Sequence, residues 1–371
     1  MNGLKQKIIE KIQRTGPISF KNFMEMALYE PDLGYYTSQK TKIGRAGDFY
    51  TSSHLHPVYG VMIGRQIEEM WEIMKRPSDF YIIEMGAGVG YLCKDMLDYL
   101  KSRKMFDSLN YIIVEINPVM RERQKDLLSD YLNKVSWSLS LKEFKNIKSC
   151  ILSNELLDSF PVHLIEMEDG IREVFIDVKG EELTEIREKP GDEIVDYLKE
   201  FYIEITKGYR TEINLNIKKW LREINDVLKE GFIFTIDYGY PARDYYSEDR
   251  NRGTLLCYYK HQVIEDPYQN IGEQDITAHV NFSSVKKWGE EEGFKTIGFC
   301  PQGTFLISLG IDEMIQEIYK DSHDYLFEVA KIKRLIFPGT MGETHKVMIQ
   351  YKGDGYPELR GFSLKNQKKK L

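Results

Sequence analysis

Phe80-Tyr81-Ile82-Ile83-Glu84-Met85-Gly86-Ala87-Gly88-Val89-Gly90 is the stretch on which the fold turns. Its first five residues form a short apolar run of β type that ends on an acid. Three glycines at alternate positions follow, and over 90–101 the apolar residues recur at helical spacing. Strand, glycine turn and helix in that order bring backbone close to a ligand. Glycines allow conformations that a Cβ forbids, and the helix start adds N–H donors and the positive end of a dipole.

The glycine spacing separates cofactors. A dinucleotide fingerprint requires glycine at its first, third and sixth positions, and the sixth position counted from Gly86 is Tyr91. A phosphate-cradling loop requires Gly-Lys-Ser/Thr before its helix, which is absent. An acid followed by Gly-x-Gly-x-Gly is instead the pattern of class I S-adenosylmethionine methyltransferases. That ligand carries no phosphate, so close approach matters more than anion binding. Glu84, Gly86, Ala87, Gly88 and Gly90 are therefore candidates for cofactor contact; the competing reading is a tight turn with no ligand. Glu115 ends the next apolar run, 31 residues after Glu84. A carboxylate at a strand end can accept both ribose hydroxyls, and Ile116 beside it joins the candidate set.

Outward from this motif, strands and helices alternate. A helix is expected over 118–132, where Pro118 stands at the start and its missing N–H costs least. Strands are expected over 135–137, 150–154 and 231–237, with a helix over 213–229 and a late strand over 345–350. This alternation predicts an α/β, Rossmann-like class I methyltransferase sheet with helices on both faces. Residues 1–77 read as an N-terminal helical lobe. Residues 78–371 read as the core, with insertions at about 162–212 and 239–282. The first insertion alternates apolar and polar residues around Asp169-Gly170 and Lys179-Gly180, the pattern of an antiparallel meander. The second is long and Tyr-rich, and its tyrosines suit a lid packed on the core or an aromatic wall for a cation.

The whole chain of 371 residues carries 51 Lys+Arg against 58 Asp+Glu, a formal net charge of -7. No broad basic field exists, so no nucleic-acid partner is expected. The four cysteines, Cys93, Cys150, Cys257 and Cys300, form no Cys-x-x-Cys pair, so no metal site is expected. Scattered thiols suit a reducing compartment. With no apolar signal segment and no run of about 18 apolar residues, a cytoplasmic chain with no membrane span is expected.

Several blocks in order resemble one family. They are Tyr29-Glu30-Pro31-Asp32-Leu33-Gly34-Tyr35-Tyr36, Gly44-Arg45-Ala46-Gly47-Asp48-Phe49, the glycine turn, Asn154-Glu155-Leu156-Leu157-Asp158-Ser159-Phe160-Pro161, Ile236-Asp237-Tyr238-Gly239-Tyr240-Pro241 and Gly272-Glu273-Gln274-Asp275-Ile276-Thr277-Ala278-His279. The chain is similar to the MidA-like methyltransferases, whose mitochondrial members act as protein arginine methyltransferases in respiratory complex I assembly. The resemblance implies S-adenosyl-L-methionine as cofactor and a protein substrate, such as a respiratory complex subunit, with a homodimer left open. One departure stands out: Ser53-His54 occupies the place of the family's Pro-Glu pair.

An arginine substrate stays protonated at any working pH. Carboxylates can hold its guanidinium and localise its charge away from the attacking nitrogen. Candidates lie where open α/β sheets bind ligands, at the carboxyl ends of strands. Asn154 is a candidate for the cofactor, and Glu155 and Asp158 for the substrate; a capping role competes for Asp158. Asp275 and His279, four residues apart, share a face if their segment is helical and then suit proton transfer. Arg45 and Asp48 suit the cofactor's carboxylate and amine, or pair with each other. Two other functions stay open from the sequence: a non-catalytic cofactor-binding assembly factor, and a methyltransferase on a small molecule.

Overall fold

The computed structural model describes residues 3–38, 52–319, 323 and 325–371. Arg45 and Asp48 lie outside the described residues, as do the side chains of Ser53 and His54. Two units form, each from three separate segments. Met1–Phe49, Leu157–Lys219 and Tyr240–Ser284 make the first; Tyr50–Leu156, Trp220–Gly239 and Val285–Leu371 make the second.

The second unit is built on β1 (Phe80–Met85), β2 (Leu109–Val114), β3 (Val135–Ser138), β4 (Ile147–Asn154), β5 (Leu228–Tyr240), β6 (Lys295–Pro301) and β7 (His345–Lys352). Their order across the sheet is 6-7-5-4-1-2-3. The first five are parallel, and β7 runs antiparallel between β5 and β6. Strands buried on both faces must be apolar throughout, and Ile82, Ile83, Ile113, Ile151, Leu152 and Phe234 are all buried. This is the Rossmann-like sheet that the alternation predicts. Of these seven, β6 escapes the sequence pattern, because its hold is the long-range pairing with β7.

From β1 the chain steps outward to β2 and β3, then returns to the other side of β1 for β4. That reversal opens a crevice at the carboxyl ends. Register makes the strand ends level there. Met85 pairs with both Val114 and Ser153, and Ile236 pairs with Asn154. Gly86 and Glu115 therefore leave the sheet, and Asn154 ends its strand, along one edge, level with Asp237 of β5.

The helix Val58–Ile73 (α1) packs against Tyr91–Leu100 (α2) through buried Tyr59, Met62, Ile63 and Ile67. A Cβ on Gly60 would stand 2.5 Å from Asp95 Cβ, so glycine sets how closely the helices approach. The expected lobe of residues 1–77 is thus divided. Its third helix joins the sheet unit because its apolar face is buried there, while Gly3–Thr15 and Phe20–Tyr29 belong to the first unit.

In the first unit the meander forms as expected, with His163–Met167, Ile171–Lys179 and Glu182–Glu188 antiparallel. Leu4, Ile8 and Ile12 of the first helix share a core with Phe20, Val174, Ile176 and Ile276. The second insertion contributes a three-stranded sheet of Gln262–Ile264, Leu256–Tyr259 and Asp275–Thr277. Both insertions and the N-terminal helices therefore fold as one body.

Candidate active site

Gly86, Gly88 and Gly90 take φ values of +69°, +54° and +97°. All are left-handed conformations that a side chain resists. A Cβ on Gly86 would also meet Leu156 Cδ1 at 3.1 Å. Gly90 caps α2, and its N–H donates to Ala87 O at 2.9 Å. Glu84 does not reach the surface of this turn. It is buried beneath it, and its Oε2 accepts the Tyr111 O–H at 2.6 Å. Burial pushes its carboxyl up to about 7, partly offset by the tyrosine bond.

Glu115 sits just past β2. Its Oε1 accepts the Asn117 N–H at 2.8 Å and its Oε2 accepts Gln124 Nε2–H at 3.3 Å. Burial raises its carboxyl, and these donors oppose the rise. A carboxylate has about four acceptor positions, so these bonds leave capacity for hydroxyls. Ile116 beside it is 48% exposed and offers an apolar flank.

At the end of β4, Asn154 Oδ1 accepts the Tyr59 O–H at 2.7 Å, and its Nδ2 donates to Glu155 Oε1 at 3.3 Å. Glu155 takes φ +52°, and its side chain is only 2% exposed. Its Oε1 also accepts the Ser52 N–H at 3.2 Å, and its Oε2 accepts the Tyr238 O–H at 2.8 Å. His345 Nε2, fully buried on β7, stands 3.6 Å from Oε1, beyond hydrogen-bond reach but within ion-pair distance. The His345 ring lies 4.2 Å from that of Tyr238. Burial alone would push the Glu155 carboxyl up; His345, Tyr238 and the Ser52 N–H more than offset this and hold it below its usual range. Asp237 fixes the turn after β4, accepting the Leu156 N–H at 3.2 Å and the Tyr238 N–H at 2.9 Å.

Asp158, Asp275 and His279 belong to the first unit. Asp275–Thr277 is a strand paired with Leu256–Tyr259, so the shared helical face expected for Asp275 and His279 does not form. Pairing with a distant strand overrides the local pattern. The buried Asp275 carboxylate accepts the Tyr36 O–H at 2.9 and 3.0 Å. The His279 ring faces Tyr240 at 5.4 Å, and the His279 backbone N–H donates to Thr254 Oγ1 at 3.0 Å. Asp158 is buried, and its carbonyl accepts the Ala278 N–H at 2.9 Å. Among the insertion's tyrosines, Tyr245 is packed inside and bonds Glu212. Sequence reasoning missed Tyr59, Gln124, Trp137 and His345. All four act through contacts distant in the chain, and none carries a local signal.

The cradle suits a ligand without phosphates, since close approach is built in and no Gly-Lys-Ser/Thr run opens the helix, which starts instead at Tyr91. With the Glu115 carboxylate level with it at the switch point of a doubly wound sheet, the geometry is that of an S-adenosylmethionine-dependent methyltransferase. The chain belongs to the family described as "Putative S-adenosyl-L-methionine-dependent methyltransferase", whose model matches residues 62–300. It is 26% identical over 376 residues to "Protein arginine methyltransferase NDUFAF7, mitochondrial" of Xenopus laevis, covering 93% of this chain and 83% of that protein. It is 25% identical over 404 residues to the Drosophila melanogaster homolog of the same name, covering 97% and 88%. A crystal structure of a "likely methyl transferase" from Burkholderia thailandensis, bound to S-adenosyl-homocysteine, superimposes with a TM-score of 0.91 at 29% identity, covering 99% of this chain and 96% of that one.

The names of these relatives overturn the expected cytoplasmic location, because they place the relatives in mitochondria. Cys93, Cys150, Cys257 and Cys300 are free and buried, and scattered thiols carry no address. Among the described residues, no helix is long and apolar enough to cross a membrane.

Proposed function

We propose that this methyltransferase acts on an arginine side chain of a protein, and that the acceptor is a subunit of a respiratory complex. The observation that carries the reading is Glu155, a buried carboxylate kept ionised at the same sheet edge as the glycine turn. An anion held in that state suits a guanidinium, which never loses its charge in free solution. The names of the Xenopus and Drosophila relatives support the same substrate class.

In this reading Gly86, Ala87, Gly88 and Gly90 admit the cofactor, Glu115 takes its ribose hydroxyls, and Ile116 flanks its base. Asn154 fixes the cofactor beside Glu155. When bound, the cofactor supplies an electrophilic methyl group on a sulfonium. The chain's own work is to hold the guanidinium, with Glu155 Oε2, which among the described residues accepts only the Tyr238 O–H, as the receiving oxygen, and to aim one nitrogen's lone pair. Asp158, Asp275 and His279 are assigned to the protein substrate, and Arg45 and Asp48 to the cofactor's amino-acid end.

The test is incubation with radiolabelled cofactor and lysate from a strain lacking the protein, followed by mass spectrometry of labelled bands. Label on an arginine is expected, and Glu155→Gln should lower its rate at least about a hundredfold while leaving S-adenosyl-homocysteine affinity within a few fold. Label on lysine or on a small molecule, or an undiminished rate in Glu155→Gln, refutes the reading.

A further inference from the structure

Gln124 is fully buried in the helix Pro118–Leu127 (α3), a helix otherwise rich in charged residues. Its amide is not interchangeable end for end. Trp137 Nε1–H can only donate, and it lies 2.8 Å from one end of the amide, which must be the carbonyl Oε1. The other end is then the NH2 group with two hydrogens. One reaches Gly88 O at 2.7 Å and the other Glu115 Oε2 at 3.3 Å. A single side chain thus ties the middle of the glycine turn to the acid past β2, and an indole fixes which way it faces. Gly90 also abuts this side chain, since a Cβ there would stand 3.5 Å from Gln124 Cγ.

Packing does not require an amide at this place; methionine would fill similar volume. What an amide adds is a fixed spacing between two elements that meet different parts of one ligand. It also occupies one lone pair of Glu115, and the Asn117 N–H another, so about two are left for hydroxyls.

We propose that Gln124 is a positioning residue for the cofactor, holding the glycine turn and the ribose acid at their working separation, with Trp137 locking its orientation. This rests on the assignment of Gly86, Gly88, Gly90 and Glu115 as the cofactor cradle. Gln124→Glu would turn an oxygen toward two acceptors; Gln124→Met removes both bonds without adding charge.

The test uses the full chain, with S-adenosyl-homocysteine and its 2′-deoxy analogue as probes in titration calorimetry. Gln124→Met should weaken S-adenosyl-homocysteine binding about tenfold to a hundredfold. It should also shrink the preference for the ribose over the deoxyribose form at least about threefold, because the two changes act through one carboxylate. Trp137→Phe should produce the same pattern more weakly, and it carries the test if Gln124→Met fails to fold. A merely structural glutamine would lower the thermal midpoint and leave that preference intact. Glu115→Gln is the control. If it weakens binding while a folded Gln124→Met stays within about twofold, or keeps the full preference, Gln124 has no positioning role. If Glu115→Gln itself changes nothing, the cradle is misassigned and the inference falls with it.

Discussion

Replacing Glu84 with glutamine is expected to remove a pH-dependent weakness from the sheet unit. The carboxyl is 2% exposed and bonded to Tyr111, and burial lifts it from 4.5 to about 7. Because the folded value lies above the unfolded one, the unfolded chain releases this proton first. Stability from this group is therefore fully present below pH 4.5 and is lost as pH rises to about 7. The gap between those values, at about 1.36 kcal/mol per pH unit, amounts to roughly 3 kcal/mol. Glutamine keeps a partner for the Tyr111 hydroxyl and does not titrate. The variant should gain on the unaltered chain by up to that amount between pH 5 and pH 8, or about 6–12 °C in thermal midpoint for a unit of this size. Thermal melts of both proteins at the two pH values measure it. Taking the difference cancels other carboxyls such as Asp95, which burial also raises to about 7. An equal gap between the two proteins at both pH values refutes the reasoning.

Other perturbations follow from the same contacts. Tyr238→Phe removes the donor 2.8 Å from Glu155 Oε2 and should cost about 1.5–3 kcal/mol at neutral pH. Glu155 is held below its usual value, so its stabilisation is present above the ordinary carboxylate range and lost as pH falls through the folded value. The deficit of Tyr238→Phe should accordingly fade only in strong acid, below the ordinary carboxylate range, and a denaturation series from pH 7 into that acid range showing a constant deficit contradicts it. Gly231 lies on β5 where a Cβ would stand 1.9 Å from Ser149 O. Gly231→Ala must therefore push β5 away from β4 and destabilise by about 2–3 kcal/mol, and a variant that melts like the unaltered chain shows that the strands can yield.

The cradle was legible because its signal is local. Glycines at alternate positions between a strand and a helix state a backbone requirement within one turn, and Glu115 and Asn154 follow as ends of apolar runs. Glu155 could be singled out, but not the group that keeps it charged. His345 reads as one more residue of a late strand, and it meets Glu155 only because β7 runs antiparallel beside β5. Gln124 reads as the polar face of a charged helix, yet it is buried because Trp137, Gly88 and Glu115 surround it. The Asp275–His279 pair shows the opposite failure. A spacing of four suggests a helix, and pairing with Leu256–Tyr259 makes it a strand.

The interleaving of the two units has a bearing on how the chain is made. Ile8 on the first helix packs in one core with Ile276, so 268 residues separate partners in that core. At about 5–20 residues per second of synthesis, the apolar face of that helix waits on the order of tens of seconds for its cover. The sheet unit is completed later still, since β7 must enter between β5 and β6, which are already made. Neither body can close while its early segments emerge. The nascent chain thus carries uncovered apolar surface through most of its synthesis, and substitutions that leave the finished protein sound can still lower its yield.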